Sequence, residues 1–376
     1  MQSWITLGLA VACGFSAVSA APAVADGFGE SEIALVKKNA QTISTHSWEL
    51  GTLAEALTEL ESPRLSVFSA HSIPPPAHLK PGEASDVLNL AANIVANKTP
   101  SSGPLIDGDG AAGDPASLGA AVLLRNWTRE DLSDLSFAQA ATGQLKYLLD
   151  VVPRVESGPA KGAISQRDPN EPVQLWADYV YMVPPFIAYY GALEGGDNGK
   201  ANLAEAYNQC RTYRAALFDG NTTTTGGTGN AWAAAGMMRV LTTIANSPFN
   251  NAMQKEQSDL KAWINEIFTG AWACQKDKGE LYNYIDQDSS FPDSSSTALL
   301  AATTFRYISL TQDYTHIVPA TRALGWVRKN VDKDGWLLNT VDPESFSTPS
   351  GTGTHSPEGQ SFVLLLHSAW KAFHGL

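Results

Sequence analysis

The sequence predicts an all-α protein whose helices pair into six hairpins and close into an (α/α)6 toroid. Apolar residues recur at helical spacing along most of the 376 residues, and almost no stretch shows the alternation of a half-buried strand. The helical stretches are of two kinds that alternate, and the motif that opens one kind recurs at a nearly constant interval. These three observations indicate a repeat of helical hairpins.

The helical segments differ in how their apolar residues are distributed. One kind is amphipathic with a charged face, as in ANLAEAYNQCRTYRAALF. The other kind begins with a polar, glycine-containing or aromatic motif and then turns small and apolar. Helical spacing covers residues 50–61, 84–98, 137–152, 201–218, 259–272, 315–331 and 361–373.

The second kind of segment opens at six places. The opening motifs are HSWELGT, GDPASLGAA, QLWADYVYM, TGNAWAAAGM, DSSSTALLAA and HSPEGQSFVLLL. One residue of each motif serves as its marker, and the markers are Trp48, Asp114, Asp178, Asn230, Ser294 and Ser356. The intervals between successive markers are 66, 64, 52, 64 and 62 residues.

A repeat of this length holds two helices, and six such hairpins close most simply into a ring. Helices that are apolar all round belong inside the ring, and amphipathic helices belong outside it. The six polar openings then converge at one end, where a pocket is expected. A generic helical solenoid is the alternative, although its repeats would not all carry polar and aromatic residues at the same place.

The amino terminus predicts secretion. Residues 1–20 contain no charged side chain, are apolar through the middle and end with Val18 and Ala20 at the positions that signal peptidase reads. A single-span membrane anchor is the alternative, but the apolar run is too short for a bilayer. We therefore expect a signal peptide at 1–20, a single domain at 21–376, an extracellular location and no membrane attachment after cleavage.

The expected extracellular location determines how the cysteines and the glycosylation sequons are interpreted. Cys13 leaves with the signal peptide, and Cys210 and Cys274 then form either one disulfide or two buried thiols. Glycosylation is expected if a eukaryote secretes the chain. The sequons begin at Asn97, Asn126 and Asn221.

Charge and composition exclude several classes of ligand. A net charge of −13 and a pI near 4.9 argue against nucleic acid, whose binding requires a cationic surface. Long polyanionic polymers are disfavoured for the same reason unless the site is locally cationic. No cysteine and histidine spacing suits zinc and no ligand cluster is visible, so we expect no metal and no cofactor. Nothing in the sequence indicates an oligomeric state.

Four of the motifs carry a family resemblance. QLWADYVYMVPPFIAYYG is the most specific, and TGNAWAAAGM, DSSSTALLAATTFRY and SPEGQSFVLLL support it in this order. The chain resembles the six-hairpin glycosidases, specifically the unsaturated rhamnogalacturonyl hydrolases of glycoside hydrolase family 105 and their fungal relatives, with family 88 more distant. The similarity covers nearly the whole chain after residue 20.

The resemblance implies an unusual reaction on a small oligosaccharide substrate. Such enzymes act on a non-reducing uronic acid that carries a C4=C5 double bond, left when a lyase cuts pectin or a related polymer. A proton goes to C4 and water adds at C5, after which the hemiketal opens and releases the remaining sugar. The resemblance assigns the general acid/base to Asp178 and a second active-site aspartate to Asp114.

The physical requirements agree with that assignment. An acid that protonates carbon must keep its proton near working pH, so burial or a neighbouring carboxylate must raise its pKa. Trp176 and Tyr179 flank Asp178, and Asp114 opens the preceding hairpin. We expect both acids in one pocket, whereas the alternative for Asp114 is helix capping before Pro115.

For Asp178 the sequence predicts a position inside a helix, since helix-start signals already stand upstream at Asp168, Asn170 and Pro172. Aromatic rings at Trp48, Trp176 and Trp232 are expected to stack on sugar or to fill the core.

The cationic side chains near the motifs are expected either to bind the substrate carboxylate or to lie on the surface. Glu49 is either a third acid in the pocket or a residue that the helix dipole favours in the first turn of its helix. The cationic candidates are His46, Arg167 and His355, and the further candidates for substrate contact are Gln174, Tyr181 and Asn230.

One segment departs from the family pattern. The third interval is about a dozen residues short, and 219–229 reads DGNTTTTGGTG where the family carries a loop with a Trp and a His, then a Trp-Gly-Arg-Gly-Asn type motif. Substrate contacts from that side are expected to be reduced. Three explanations of the short third interval remain open: altered specificity, lost activity, or an exon missing from the gene model.

Two functional classes therefore remain. The first is a secreted hydrolase of unsaturated uronyl oligosaccharides. The second is a sugar-binding protein on the same toroid. A further enzyme alternative is a saturated β-glucuronidase or a polysaccharide lyase, although a lyase normally uses a basic cleft and a Tyr, His or Lys base.

Overall fold

The computed structural model describes residues 27–99, 102–218 and 226–376. The predicted signal peptide and the sequon at Asn221 lie outside these residues. Within them the fold is all-helical, and six isolated β-bridges replace any extended strand. The α-helices are α1 (Glu30–Ile43), α2 (Ser47–Glu61), α3 (Ser85–Asn97), α4 (Gly119–Thr128), α5 (Ser136–Lys146), α6 (Tyr179–Met182), α7 (Pro184–Glu194), α8 (Gly196–Leu217), α9 (Gly227–Asn246), α10 (Gln254–Ala273), α11 (Ser294–Thr311), α12 (Ile317–Lys329) and α13 (Pro357–His374).

The helices form six hairpins, as the repeat predicts. The inner ring consists of α2, α4, the α6–α7 pair, α9, α11 and α13, and the last inner helix packs against the first. Inner helices are buried on every face, since α11 is buried continuously from Ser294 to Ile308. Outer helices bury one stripe, and α12 buries only Ala320, Ala323, Leu324 and Val327.

The third inner helix differs from its prediction. It is broken into α6 and α7 at Val183, where two prolines begin the second piece. The residues that carry the upstream start signals form irregular backbone instead of helix. The prediction that Asp178 lies inside a helix is therefore wrong, because Asp178 immediately precedes α6.

A buried ion network joins three inner helices inside the ring. Glu59 of α2 accepts a hydrogen bond of 2.7 Å from Nη2 of Arg306 on α11 and another from Arg239 on α9. Nε of Arg239 lies 3.0 Å from Oε2 of Glu55. The ring of Phe68 lies 5.3 and 4.8 Å from the two guanidinium carbons. Each buried charge therefore has a partner of opposite sign, as burial requires.

Of the two alternatives for the cysteines, a disulfide or two thiols, the structure has two thiols. Cys210 and Cys274 are both free; Cys210 is buried and Cys274 is half-buried. Of the described sequons, Asn97 is exposed at the end of α3, whereas Asn126 lies on α4 with its side-chain oxygen buried. None of the described helices is long and apolar enough to cross a membrane.

Candidate active site

Asp114 begins the 3-10 turn Asp114–Leu118 that leads into α4. Its side chain makes no capping bond, and the N-cap position belongs to Gly113. Oδ1 of Asp114 instead accepts a hydrogen bond of 2.7 Å from Nε2 of Gln166. Helix capping therefore does not account for this acid.

Asp178 stands at the start of the third inner helix and is half-buried. Its main-chain oxygen accepts hydrogen bonds from the amides of Tyr181 and Met182 at 2.9 and 3.2 Å, while its carboxylate caps nothing. Burial raises the pKa of Asp178 to about 6. The carboxyl group thus retains its proton in mildly acidic solution and remains available for chemistry.

The two acids lie in one electrostatic cluster. Burial is the main reason why the pKa of Asp114 rises to about 7, and the hydrogen bond from Gln166 opposes it. The negative charges of Asp109 and Asp178 raise the same pKa, and the charge of Arg167 lowers it. The two carboxyl groups are therefore near enough for the charge of Asp178 to act on Asp114, although burial is the larger cause.

The segment 165–174 holds the two acid-bearing loops together. The amides of Ala112 and Gly113 donate to the main-chain oxygen of Gln166 at 2.8 and 3.3 Å. The amide of Gln166 donates to the oxygen of Gln174 at 2.8 Å, and the amide of Gln174 donates to Oγ of Ser165 at 3.2 Å. Gln166 is only 2% exposed, so its position is fixed on both sides.

Asp109 is a third carboxylate that the sequence analysis did not single out. Its Oδ1 is buried without a hydrogen-bond partner, and burial raises the pKa of Asp109. Asp168 adds a like charge from one side, and His46 opposes it from the other. Asp168 itself accepts a hydrogen bond of 3.0 Å from the hydroxyl of Tyr147. Asp109 and Asp168 therefore add two further acids to the surroundings of Asp114.

Arg167 and Trp176 form a stacked pair beside this cluster. The guanidinium carbon of Arg167 lies 4.5 Å from the centre of the Trp176 ring, a cation–π arrangement. Nη1 of Arg167 donates to the oxygen of Gly110 at 3.2 Å, while its Nε is buried without a partner. The indole N–H of Trp176 donates to Oε1 of Gln174 at 3.1 Å, which fixes the ring.

The first and last repeats meet at Trp48. Its indole N–H donates to Oε1 of Glu358 at 2.7 Å, and its ring stacks on His46 at 4.5 Å. Burial raises the pKa of Glu358 to about 7. Glu49 is not a pocket acid, because its Oε2 accepts from the amides of Thr45 and His46 at 2.6 and 2.9 Å. It lies in the first turn of α2, the alternative that the sequence left open, and there it also completes a capping box.

Three predicted contact residues are placed away from the acids. Trp232 and Tyr181 are 4% and 2% exposed and pack on each other in the core, with ring centres 4.5 Å apart. His355 stacks on Trp336 at 4.0 Å near Asp332. The sequence could not separate these aromatic positions from those of the site, because one helical turn, about 5 Å along the axis, takes a residue from the open end of the ring into its core.

The fourth motif approaches the third despite the shortened segment. A Cβ atom added at Gly229 would lie 3.3 Å from the Cβ of Ala177, the residue before Asp178. Asn230 is half-buried in the first turn of α9, and its Nδ2 lies 3.4 Å from the oxygen of Gly226. In the described part of the chain, no group of three or more His, Cys, Asp or Glu residues is arranged to hold a metal ion.

No protein-family model and no curated protein matches the sequence. Several solved structures share the fold. A possible member of the GH105 family from Klebsiella pneumoniae aligns with 100% of this chain and 99% of its own, at 15% identity and a TM-score of 0.69.

An unsaturated glucuronyl hydrolase from Bacillus sp. GL1, responsible for the degradation of glycosaminoglycan, aligns over 92% and 95% of the chains at 13% identity and a TM-score of 0.61. A polysaccharide lyase aligns over 92% and 97% at 14% identity and a TM-score of 0.65. At these identities the likeness establishes the six-hairpin toroid as the fold.

Proposed function

We propose that the chain is a glycoside hydrolase that removes a Δ4,5-unsaturated uronic acid from the non-reducing end of lyase-generated oligosaccharides. The observation that carries this proposal is that Asp114 and Asp178, at the openings of successive inner helices, both have raised pKa values, of about 7 and about 6. Protonating carbon near neutral pH requires such an acid. The fold shared with an unsaturated glucuronyl hydrolase supports the proposal.

In this proposal the carboxyl group of Asp178 gives its proton to C4 of the unsaturated ring. Water then adds to C5, and its released proton returns to a carboxylate of the pair, so the acid is regenerated. The C5 hemiketal opens to a ketone, which leaves a hemiacetal at C1. That hemiacetal collapses to an aldehyde and releases the remaining sugar, so no metal or cofactor takes part in the balance.

Arg167 is the residue that we assign to the substrate carboxylate. It lies close enough to lower the pKa of Asp114, and its buried Nε has no hydrogen-bond partner. A guanidinium group offers five donors in a plane that matches a carboxylate. The half-buried rings of Trp48 and Trp176 supply apolar faces for the sugar.

Pectin-derived substrates and secretion are also part of the proposal. The family resemblance supports the first, and the uncharged apolar stretch at residues 1–20 supports the second. Extracellular action fits a substrate that lyases release outside the cell.

A polysaccharide lyase is the second candidate, because one structure with this fold carries that name. A lyase needs a base that takes a proton from carbon. Tyr147 is the candidate for this base, but burial and its hydrogen bond to Asp168 raise the pKa of its hydroxyl well above the usual range. That tyrosine is therefore a poor base, which favours the hydrolase.

Ultraviolet absorbance of the C4=C5 bond tests the proposal directly, because the two enzymes change it in opposite directions. The purified chain is incubated with unsaturated disaccharides from pectin and from glucuronan, and separately with the intact polymers. The hydrolase lowers the absorbance of the disaccharides. A rise on intact polymer would establish the lyase, and no change on any substrate together with saturable disaccharide binding would establish the sugar-binding protein.

A further inference from the structure

The connector between α12 and α13 forms a compact tongue at residues 340–350. The amide of Ser350 donates to the oxygen of Thr340 at 2.9 Å, and their hydroxyls are 2.9 Å apart. Nearer the tip, the amide of Asp342 donates to the oxygen of Thr348 at 2.9 Å. The tongue therefore has the cross-linked base of a hairpin.

The base of the tongue is fixed to the inner ring. Oδ1 of Asp293 accepts a hydrogen bond of 3.1 Å from the amide of Val341. Asp293 is fully buried and also caps α11 through the amides of Ser295 and Ser296 at 3.1 and 3.0 Å. The position of the tip is thus set by a buried carboxylate of the fifth repeat.

Phe346 occupies the tip in a left-handed backbone conformation that closes a turn, since its amide donates to the main-chain oxygen of Asp342 at 3.0 Å. Its φ angle is 58°, in the left-handed region that bulky side chains avoid, and its ring is 57% exposed. Holding such a backbone costs about 1–3 kcal/mol. The main-chain oxygen of Phe346 accepts a hydrogen bond of 3.1 Å from the buried Asn283, which holds the strained residue in place.

The ring of Phe346 lies beside the candidate active site. Its centre lies 6.1 Å from that of Trp176 at an angle of 82°, and Trp176 is two residues from Asp178. On the other side of the tip, Oε1 of Glu344 lies 3.9 Å from Nε2 of His46. The tongue therefore reaches from the third repeat to the first across the polar end of the toroid.

We infer that Phe346 is a stacking platform for the leaving sugar, the saturated unit that follows the unsaturated uronic acid. This inference rests on the proposed function. The terminal ring must place its C4 at Asp178, so the next sugar lies outward, on the side where the tongue passes. An exposed aromatic ring buries the apolar C–H face of a sugar, so the ring of Phe346 offers the leaving sugar a binding face beside Trp176.

The test uses Phe346→Gly, which removes the ring and relieves the strained backbone, and Phe346→Tyr, which keeps the ring. Gln312→Gly is the matched control, because Gln312 also has a φ of 58° and is exposed, but it ends α11 at the opposite end of that helix. Each variant is assayed on an unsaturated disaccharide and on the methyl glycoside of the same unsaturated uronic acid.

We expect Phe346→Gly to raise KM for the disaccharide about three- to tenfold and to leave KM for the methyl glycoside unchanged. Its Tm should not fall, because the strain is relieved. Phe346→Tyr and Gln312→Gly should leave both KM values near wild type. An unchanged disaccharide KM in Phe346→Gly, or an equal rise for both substrates, would overturn the inference.

Calorimetric titration of the disaccharide into Asp178→Asn, with and without Phe346→Gly, separates this inference from the proposed function. If wild type consumes neither substrate, the proposed function fails, while weaker disaccharide binding in the double variant still supports the platform. Equal affinity with and without the ring would reject the platform whatever the activity of the wild type.

Discussion

At the scale of single residues, Gln166 determines how the two acids are held. It is buried, its main chain bonds to both acid-bearing loops, and its amide donates to Asp114 at 2.7 Å. A donor to a carboxylate favours the charged form and lowers the pKa. Gln166 is therefore a positioning residue, although nothing in its sequence neighbourhood marks it as one.

Replacing Gln166 by Leu is expected to raise the pKa of Asp114 further above its present value of about 7. The lost hydrogen bond no longer favours the carboxylate, so the proton is held to higher pH. Carboxyl NMR titration of Asp114 measures the shift. The control is Gln360→Leu, which removes an equally buried glutamine bonded to Leu337 and Gly335; it should lower stability without moving this pKa.

The coupling of the two acids gives a second residue-scale prediction. Asp178→Asn should lower the pKa of Asp114, since removing a nearby negative charge makes ionisation of the remaining acid easier. The same NMR titration measures it. Asp168→Asn is the matched control, because Asp168 faces Asp109. Equal pKa values of Asp114 in wild type and Asp178→Asn would show that the acids are independent.

The motifs that open the inner helices could be predicted, although the helix start at Asp178 could not, and residues in irregular loops could not be predicted either. Asp114 and Asp178 stand at the openings of inner helices, and the repeat places those openings at one end. Asp109 lies in a glycine-rich loop with no periodicity. Glu358 comes near the site only because the last inner helix packs against the first, where Glu358 accepts a hydrogen bond from Trp48. Tyr181 was assigned wrongly because one helical turn carries it from the site to the core.

At the scale of helices, two glutamates of α2 show how burial determines the contribution of an ion pair to stability. Glu59 is buried and bonds both Arg239 and Arg306, whereas Glu61 is exposed and pairs with Lys37. Removing the buried partner leaves Arg306 without an ionic partner in the interior and Arg239 with Glu55 alone. Removing the exposed partner leaves a charge that water solvates.

We therefore expect Glu59→Ala to lower the free energy of unfolding by about 3–5 kcal/mol. The matched change Glu61→Ala should cost below about 1 kcal/mol. Urea unfolding followed by circular dichroism measures both, at a pH where the glutamates are charged. A similar small loss in the two variants would mean that the network contributes little to holding α2, α9 and α11 together.

The break in the third inner helix was not predicted, although its cause is in the sequence. Pro184 and Pro185 remove two main-chain donors, which suits the first turn of a helix and not its interior. Aromatic residues before the prolines masked this signal, because they fit a helical pattern equally well. The consequence is functional, since the short α6 sets Asp178 at a helix start.

At the scale of the whole molecule, the fold could be predicted because the repeat is long and regular. Five intervals of similar length require six equivalent units, and rings of hairpins satisfy the burial of six apolar helices. The contents of the connectors could not be predicted in this way. The tongue at residues 340–350 is held by hydrogen bonds between distant positions, which leave no periodic signal.

Four carboxyl groups with raised pKa values predict an unusual dependence of stability on pH. Burial raises the pKa of Glu55, Asp114 and Glu358 to about 7 and that of Asp178 to about 6. Groups whose folded pKa is raised stabilise the fold fully below their unfolded pKa of about 4, and this stabilisation is lost as pH rises through 6 to 7.

The Tm is accordingly expected to be higher near pH 5 than near pH 8, measured by scanning calorimetry at constant ionic strength. Glu358→Gln should reduce this difference, because one of the four groups no longer titrates. The exposed Glu344→Gln is the control and should leave the difference unchanged. A Tm that rises from pH 5 to pH 8 would contradict the assignment of raised pKa values.

The central claim is that Asp178 in its protonated form delivers the proton to the substrate. The most direct measurement is kcat/KM on an unsaturated disaccharide as a function of pH, for wild type and Asp178→Asn. The account predicts that wild-type kcat/KM falls as pH rises through about 6, and that Asp178→Asn loses activity by about 10²- to 10⁴-fold at every pH. An Asp178→Asn enzyme with wild-type activity, or a wild-type rate that increases above pH 6, would contradict it.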